Sequence, residues 1–390
     1  MSISIEDFIK RYWYYGALLL IVLIALLYRA SILGNFLIPT WGNTMYHVGI
    51  EREMIETQHY PTTELSYGGG FPNFYVPGFR LLVAALAIAT GIDVMVMSAL
   101  IVPVLGVFGL LAVYAVAYRL SGANKFVGLF AAFFFLLSPD ITLNTVRPFP
   151  QLMGLFILPL ALYFLLREDW PMAILMSVTM ALTHQQSMFT LVGIMGLYMV
   201  FQFVYAAVKT KDFKKPAMVT ISMLSLVLTY AVWQMLTMGS LNILNIAQIT
   251  YHEAWPVTAS TIIQTGLFVL LFFIPGLVCI FLENDSKKAA GARKEPAKAD
   301  KKARKSYHLN ISVDAKLLIL SWIAATVILF KNEMWGLWLS ALTHISAFNL
   351  STMQSRFYTY FTEVALIIAA FGIYWLLSLI DFDVMLEKQE

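Results

Sequence analysis

Long apolar runs recur from one end of this chain to the other, and they limit the fold more than any single residue does. A helix needs roughly 20 mostly apolar residues to cross the hydrocarbon core of a bilayer. Segments 13–34, 93–118, 126–139, 151–166, 170–184, 187–208, 216–238, 261–282, 313–330 and 356–380 each read as a membrane helix. Strands that alternate apolar and polar residues are absent, which excludes an outer-membrane barrel. Composition agrees. The chain is 59% hydrophobic and 13% charged, against about 45–50% and about 25% in an ordinary soluble domain. The expected fold class is all-α, a polytopic membrane protein of ten transmembrane helices with a long first outer loop.

Charge fixes the expected sidedness. The net charge of +3 hides a basic stretch at 283–305 with nine Lys or Arg and four Asp or Glu, so the remainder of the chain is slightly acidic. The basic balance therefore does not indicate nucleic acid, and no nucleic-acid partner is expected. The single cysteine, Cys279, excludes an intrachain disulfide. The first apolar run exceeds a signal-peptide core, so it is expected to remain as an uncleaved helix. Segment 77–91 has too short an apolar stretch after Arg80 to span, and reads as a re-entrant or interfacial helix with Arg80 near the head groups. Leaving it out puts twenty basic residues in inner loops and five in outer ones, as the positive-inside bias requires. A multi-pass protein of the cell membrane with cytoplasmic N- and C-termini is the expectation. Its parts are a membrane module at 1–282 with outer loops 35–92, 139–150 and 239–260, a basic cytoplasmic linker at 283–312, and a C-terminal helical hairpin at 313–390 with outer loop 331–355.

Chemistry is expected in the outer loops. Residues 44–58 have helical spacing, and His47 and Glu51, four apart, share one face. Such a pair can ligate a divalent metal or pass a proton; it can equally be a solvated surface pair. Tyr67, Phe71, Phe74 and Tyr75 around Gly68–Gly70 read as a flexible aromatic flap. Asp140 and Arg147 lie in the second outer loop, where a guanidinium between prolines can hold a phosphate or anchor the interface. Thr183, His184, Gln185, Gln186 and Ser187 interrupt two apolar runs, and polar groups at that depth face a cavity or each other. His252 and Glu253 in the fourth outer loop are candidates for ligand contact or plain surface residues. Arg356, followed by Tyr358 and by Glu363 deeper in the same helix, is the strongest phosphate-binding candidate. No P-loop, GxGxxG, HExxH or paired-cysteine motif occurs, so cytosolic nucleotide chemistry is unsupported.

The order of these segments resembles the GT-C superfamily of integral membrane glycosyltransferases, especially prokaryotic relatives of the oligosaccharyltransferase catalytic subunit. GNTMYHVGIEREMIE, then HYP, then FPNFYVPGFRLLVAAL is similar to the family's first outer loop. YRLSGANKFVGLFAAFFFLLSP, RPFPQLMGLFILPLALYFLLR and SRFYTYFTEVALIIAA resemble its later helices, so the likeness covers residues 10–210 and 350–380. It implies a donor built on a polyprenyl phosphate or diphosphate, bound from the lipid side, with sugar transfer on the outer face. It also implies a divalent cofactor, magnesium or manganese, as one alternative, and membrane lipids or a membrane complex as partners. The family's acidic residue of the first loop, its base or metal ligand, falls on Asn43, which has no carboxylate. His47 or Glu51 would then have to replace it, with Arg147 and Arg356 on the phosphate and Asp140, His184, Gln185, His252 and Tyr358 around the substrate. The family's large C-terminal outer domain has no counterpart in this sequence, which argues against sequon glycosylation by this chain alone. Three functions remain open at this point: a glycosyltransferase, a non-catalytic subunit that binds lipid-linked glycan or scaffolds a complex, and a lipid transporter.

Overall fold

In the computed structural model the described residues are 5–35, 42–64, 70–73, 75–238, 257–282, 309, 311–331 and 354–379. They are helical apart from connections and one short antiparallel pairing. In chain order the helices are α1 (Ile5–Gly34), α2 (Gly42–Thr57), α3 (Gly78–Thr90), α4 (Val94–Leu120), α5 (Lys125–Leu137), α6 (Pro139–Thr145), α7 (Gln151–Arg167) and α8 (Trp170–Ala181). They continue with α9 (Gln185–Tyr205), α10 (Lys214–Met238), α11 (Ala259–Gln264), α12 (Leu267–Leu282), α13 (Val313–Phe330) and α14 (Gln354–Leu379). Between α2 and α3, β1 (Thr63–Glu64) pairs with β2 (Phe71–Pro72).

Short polar residues mark the helix starts, because the first N–H groups of a helix lack intrahelical acceptors. Asp93 accepts from the Met95 amide at 2.9 Å, and Asn124 from Phe126 at 2.9 Å and Val127 at 3.2 Å. Ser312 accepts from Ala315 at 3.1 Å. Between α5 and α6 the chain turns by 70°. Pro139 has no N–H to continue the α5 ladder, while Ser138 closes α5 and caps α6. This corner places Asp140 and Arg147 at one end of the bundle, level with the α8–α9 connection and the start of α14.

Packing divides the helices into interior and lipid-facing elements. α4 lies against α5 and α7, α9 against α10 and α13, and α12 along α14. Gly276 and Gly372 make the last contact close: a Cβ on either would collide with the opposing backbone, at the carbonyl of Ile368 and of Phe272 respectively. In a membrane, where water does not drive helices together, such close backbone approach is what holds a pair. α1 is the opposite case, with 11% of its apolar window buried. One side chain ties it inward: Arg29 donates from Nε to Thr145 Oγ1 at 2.9 Å and from Nη1 to the Ala25 carbonyl at 3.4 Å. At the other end of the bundle, Asp314 of α13 accepts from Tyr198, Gln202 and Lys215, and Lys215 also reaches Glu168 at 3.4 Å.

The protein is a multi-pass membrane protein. Among the described residues, six helices are long and apolar enough to cross a bilayer, or seven if bent α5–α6 is one span. The ten-span expectation differs because α7, α8 and α12 fall in the shorter class of 10–17 residues. Segment 77–91 forms the 13-residue α3, which at 1.5 Å per residue is about 20 Å long and short of a crossing. Arg80 is fully buried within the protein. Most of the basic linker and most of the outer loops at 239–260 and 331–355 lie outside the described residues, as do residues 65–69 and 74 of the aromatic flap.

Candidate functional site

The first loop folds around a guanidinium. Arg80 sits in the first turn of α3 and donates from Nε to His47 Nδ1 at 3.0 Å, and from Nη1 to Asn73 Oδ1 at 3.0 Å and Tyr60 Oη at 3.1 Å. Its charge lies 4.8 Å from the ring centre of Tyr46 and 4.9 Å from that of Tyr75. Tyr60 in turn donates to the Tyr75 carbonyl at 2.9 Å, and Asn73 donates to the Pro61 carbonyl at 2.8 Å. One cation thus joins α2, the strand pair and α3. The loop is fastened to the membrane helices where the Gly78 amide donates to the Leu182 carbonyl at 2.6 Å, an approach that a Cβ on residue 78 would block.

His47 and Glu51 are both buried, so they are not a solvated surface pair. Neither Glu51 oxygen has a hydrogen-bond partner. Burial pushes its carboxyl up to about 8, against a smaller opposing effect of Arg80. Burial and then the positive charge of Arg80 hold His47 well below the ordinary histidine range. Its Nδ1 accepts from Arg80, so in the neutral ring the proton is on Nε2. Asn43 lies in the first turn of α2, and its side chain is outside the described residues.

His184 begins α9. Its Nδ1 accepts from the Ser187 amide at 3.3 Å and lies 2.7 Å from Ser187 Oγ. Tyr360 of α14 closes the group, hydrogen-bonded to Ser187 Oγ and 3.4 Å from His184 Nδ1. Its own position is held by Trp322, whose indole N–H donates to the Tyr360 carbonyl at 3.1 Å. His184 Nε2 is buried and has no partner. Gln151, fully buried at the start of α7, has no partner for either amide atom. Buried polar atoms in folded proteins are nearly always satisfied, so orphans gathered in one layer point to a ligand or water between them.

Arg356, one turn before Tyr360, acts electrostatically on His47, His184 and Arg147. Burial, and then the like charge of Arg356, lower the affinity of Arg147 for its proton. The structure therefore brings His47, Arg147, His184 and Arg356 into one electropositive layer, drawn from four separate segments. Other expected site residues are turned to structural partners. Asp140 accepts from Thr362 at 2.7 Å, Asn144 at 3.0 Å and Thr359 at 3.2 Å, which clamps α6 to α14. Gln185 donates to Tyr230 at 2.8 Å. Tyr358 shares a hydrogen bond with Thr265 at 2.8 Å and packs on Phe330. His252 lies outside the described residues. Sequence reasoning missed Arg80, Asn73 and Tyr360. The signal for Arg80 was present, since a charge embedded in an apolar run requires buried partners.

Among the described residues the donor set does not fit a divalent cation. Among the described residues no three His, Cys, Asp or Glu side chains gather as ligands. The Asp140 carboxylate already accepts three hydrogen bonds, and burial favours the protonated form of Glu51.

No family model and no curated protein matches the sequence. Solved structures do match. The archaeal oligosaccharyltransferase AglB from Archaeoglobus fulgidus, in complex with an inhibitory peptide and a dolichol-phosphate, aligns with 94% of this chain and 50% of its own, at 17% identity and a TM-score of 0.54. An Archaeoglobus fulgidus oligosaccharyltransferase tethered with an acceptor peptide containing the NVT sequon aligns with 94% of this chain and 50% of its own, at 14% identity and a TM-score of 0.56. ArnT from Cupriavidus metallidurans, bound to undecaprenyl phosphate, aligns with 93% of this chain and 59% of its own, at 12% identity and a TM-score of 0.55. The chain thus spans about half the length of these structures. The oligosaccharyltransferase and ArnT structures, matched over nearly all of this chain, leave one description of its architecture: it shares their fold, as expected of a GT-C-like chain.

Proposed function

We propose that this protein binds a polyprenyl phosphate- or diphosphate-linked sugar at its electropositive layer, on the outer face of the membrane, as a glycosyltransferase of GT-C type. The observation that carries the reading is the convergence of Arg147 and Arg356. Two half-buried guanidiniums near enough to act on each other present forks that match phosphate oxygens bidentately. The lipid phosphates bound to the AglB and ArnT structures support the same chemistry. In a transfer step the acceptor's nucleophilic atom bonds to the sugar's anomeric carbon as the bond from that carbon to the phosphate oxygen breaks, and the broken bond's electron pair stays on the phosphate. Arg147 and Arg356 stabilise that growing charge. The termini and the basic linker are assigned to the cytoplasm by the charge bias alone.

A second reading, a lipid-phosphate-binding subunit without transfer activity, is favoured by one observation. Transfer needs a group to accept the acceptor's proton. Asn43 lacks a carboxylate, Glu51 is protonated at neutral pH, and the lone pair of neutral His47 is taken by Arg80. Purified protein and its Asn43→Asp variant, each assayed with a polyprenyl-phosphate sugar, separate the two. Transfer that rises in Asn43→Asp supports the enzyme fold with a weakened base. Donor binding with no transfer by either protein supports the second reading, and no donor binding refutes both.

A further inference from the structure

Of the polar groups in the layer, His184 has one ring edge fully committed and the other uncommitted. Its Nδ1 accepts from the Ser187 amide and lies within hydrogen-bond distance of Ser187 Oγ, with Tyr360 Oη beyond. A backbone N–H can only donate, so Nδ1 must keep its lone pair, and the neutral ring carries its proton on Nε2. That Nε2–H is 1% exposed as a residue and has no acceptor in the structure. The charges and titratable groups around it come from three elements: His47 of α2, Arg356 and Tyr360 of α14, and Ser187 at its own helix start. None of these supplies the missing acceptor. A second positive charge on the ring would face Arg356 and the first-turn amides of α9, so the neutral form is the one the surroundings favour.

We propose that His184 presents Nε2–H as an uncharged hydrogen-bond donor to a phosphate oxygen of the ligand, with Ser187 and Tyr360 as positioning residues that lock this tautomer. The inference rests on the phosphate-binding reading and adds a distinct requirement to it. The two guanidiniums supply charge, and the imidazole supplies direction. A donor-only edge beside Arg356 selects an anionic acceptor; a sugar hydroxyl would be read as well by a group that also accepts. Tyr360 matters through Ser187. With the phenol in place, the Ser187 hydroxyl has a partner on each side and His184 Nδ1 remains an acceptor.

The test uses the full chain in detergent and a short-chain polyprenyl phosphate without a sugar. Long-range 15N–1H spectra of histidine-labelled protein report the tautomer directly, with the His184 signals assigned by their loss in His184→Asn. Asn is among the best N-caps, so His184→Asn keeps the start of α9 while withdrawing the donor from the ligand. The expected result is a neutral Nε2–H ring whose Nε2 signal moves on titration with the phosphate. His184→Asn should lose affinity by about ten- to a hundredfold, the worth of one hydrogen bond to a charged acceptor. Tyr360→Phe should give a mixture of tautomers and a smaller loss. An Nδ1–H or doubly protonated ring in the free protein overturns the inference, as does wild-type affinity in His184→Asn. If the wild-type protein binds no polyprenyl phosphate and the Nε2 signal stays still, the phosphate reading falls together with it.

Discussion

Replacing Arg80 by methionine keeps much of the volume of the side chain and removes its charge and all its donors. Three hydrogen bonds from a charged donor are lost, to His47, Asn73 and Tyr60, each worth about 1.5–3 kcal/mol. Two ring faces at 4.8 and 4.9 Å lose a cation, at about 0.5–2 kcal/mol each. Against this gross loss stands the desolvation of a buried guanidinium, several kcal/mol, which the methionine does not incur. His47 Nδ1 and Asn73 Oδ1 are left buried without a donor, so the net loss should be about 3–5 kcal/mol. It should fall on the first loop rather than the whole bundle, because the partners of Arg80 all lie between α2 and α3. A loss of 1.4 kcal/mol is tenfold in an equilibrium, so local opening of 42–90 should rise by on the order of a hundredfold or more. Amide hydrogen exchange across α2 and α3 reads this, with α4–α9 as the internal reference. Arg80→Lys should be intermediate, since one ammonium cannot bridge three acceptors in a fixed fork. Unchanged exchange of α2 in Arg80→Met would refute the claim that this cation organises the loop.

Arg356→Lys should weaken binding of polyprenyl phosphate and Arg356→Ala should weaken it further, by about tenfold or more for the loss of a charge-assisted pair; unchanged affinity in both removes the phosphate from this residue. Glu51 has its ordinary value near 4.5 raised to about 8. Its stabilising protonated state is fully present below about pH 4.5, and stability falls as pH rises because the unfolded chain ionises first. The loss should level off above about pH 8, and melting curves of Glu51→Gln should lack this slope. Ala290→Cys should resist labelling from the outer face of sealed cells, because the surrounding basic residues disfavour translocation; ready labelling would reverse the proposed sidedness.

Segment order and the polar interruptions carried most of the architecture. His184 and Arg356 stood out because polar groups at the ends of apolar runs have few destinations, and the structure does bring them together. The partners of Arg80 were not legible, because a sequence shows that a charge lies near a boundary, not which residues fold over it. Its three acceptors come from positions 47, 60 and 73, on separate elements. Asp140 illustrates the reverse. A carboxylate in an outer loop reads as a ligand, and nothing local shows that Thr359 and Thr362, more than two hundred residues away, donate to it. Span number was legible only as apolar runs, since the bend at Pro139 and the short α7, α8 and α12 depend on how neighbouring helices cover them.

The candidate span of α1, Arg11–Gly34, has 24 residues and is about 36 Å long at 1.5 Å per residue, against a hydrocarbon core of about 30 Å. A helix longer than its bilayer tilts, and a thicker bilayer lets it stand upright. α1 cannot change its tilt alone, because Arg29 joins it to Thr145 at the end of α6. Two residues further along the chain is Arg147. Lipid thickness should therefore bear on the spacing between the two guanidiniums, and phosphate affinity measured in bilayers of graded chain length should change with it; affinity that stays constant would sever the link.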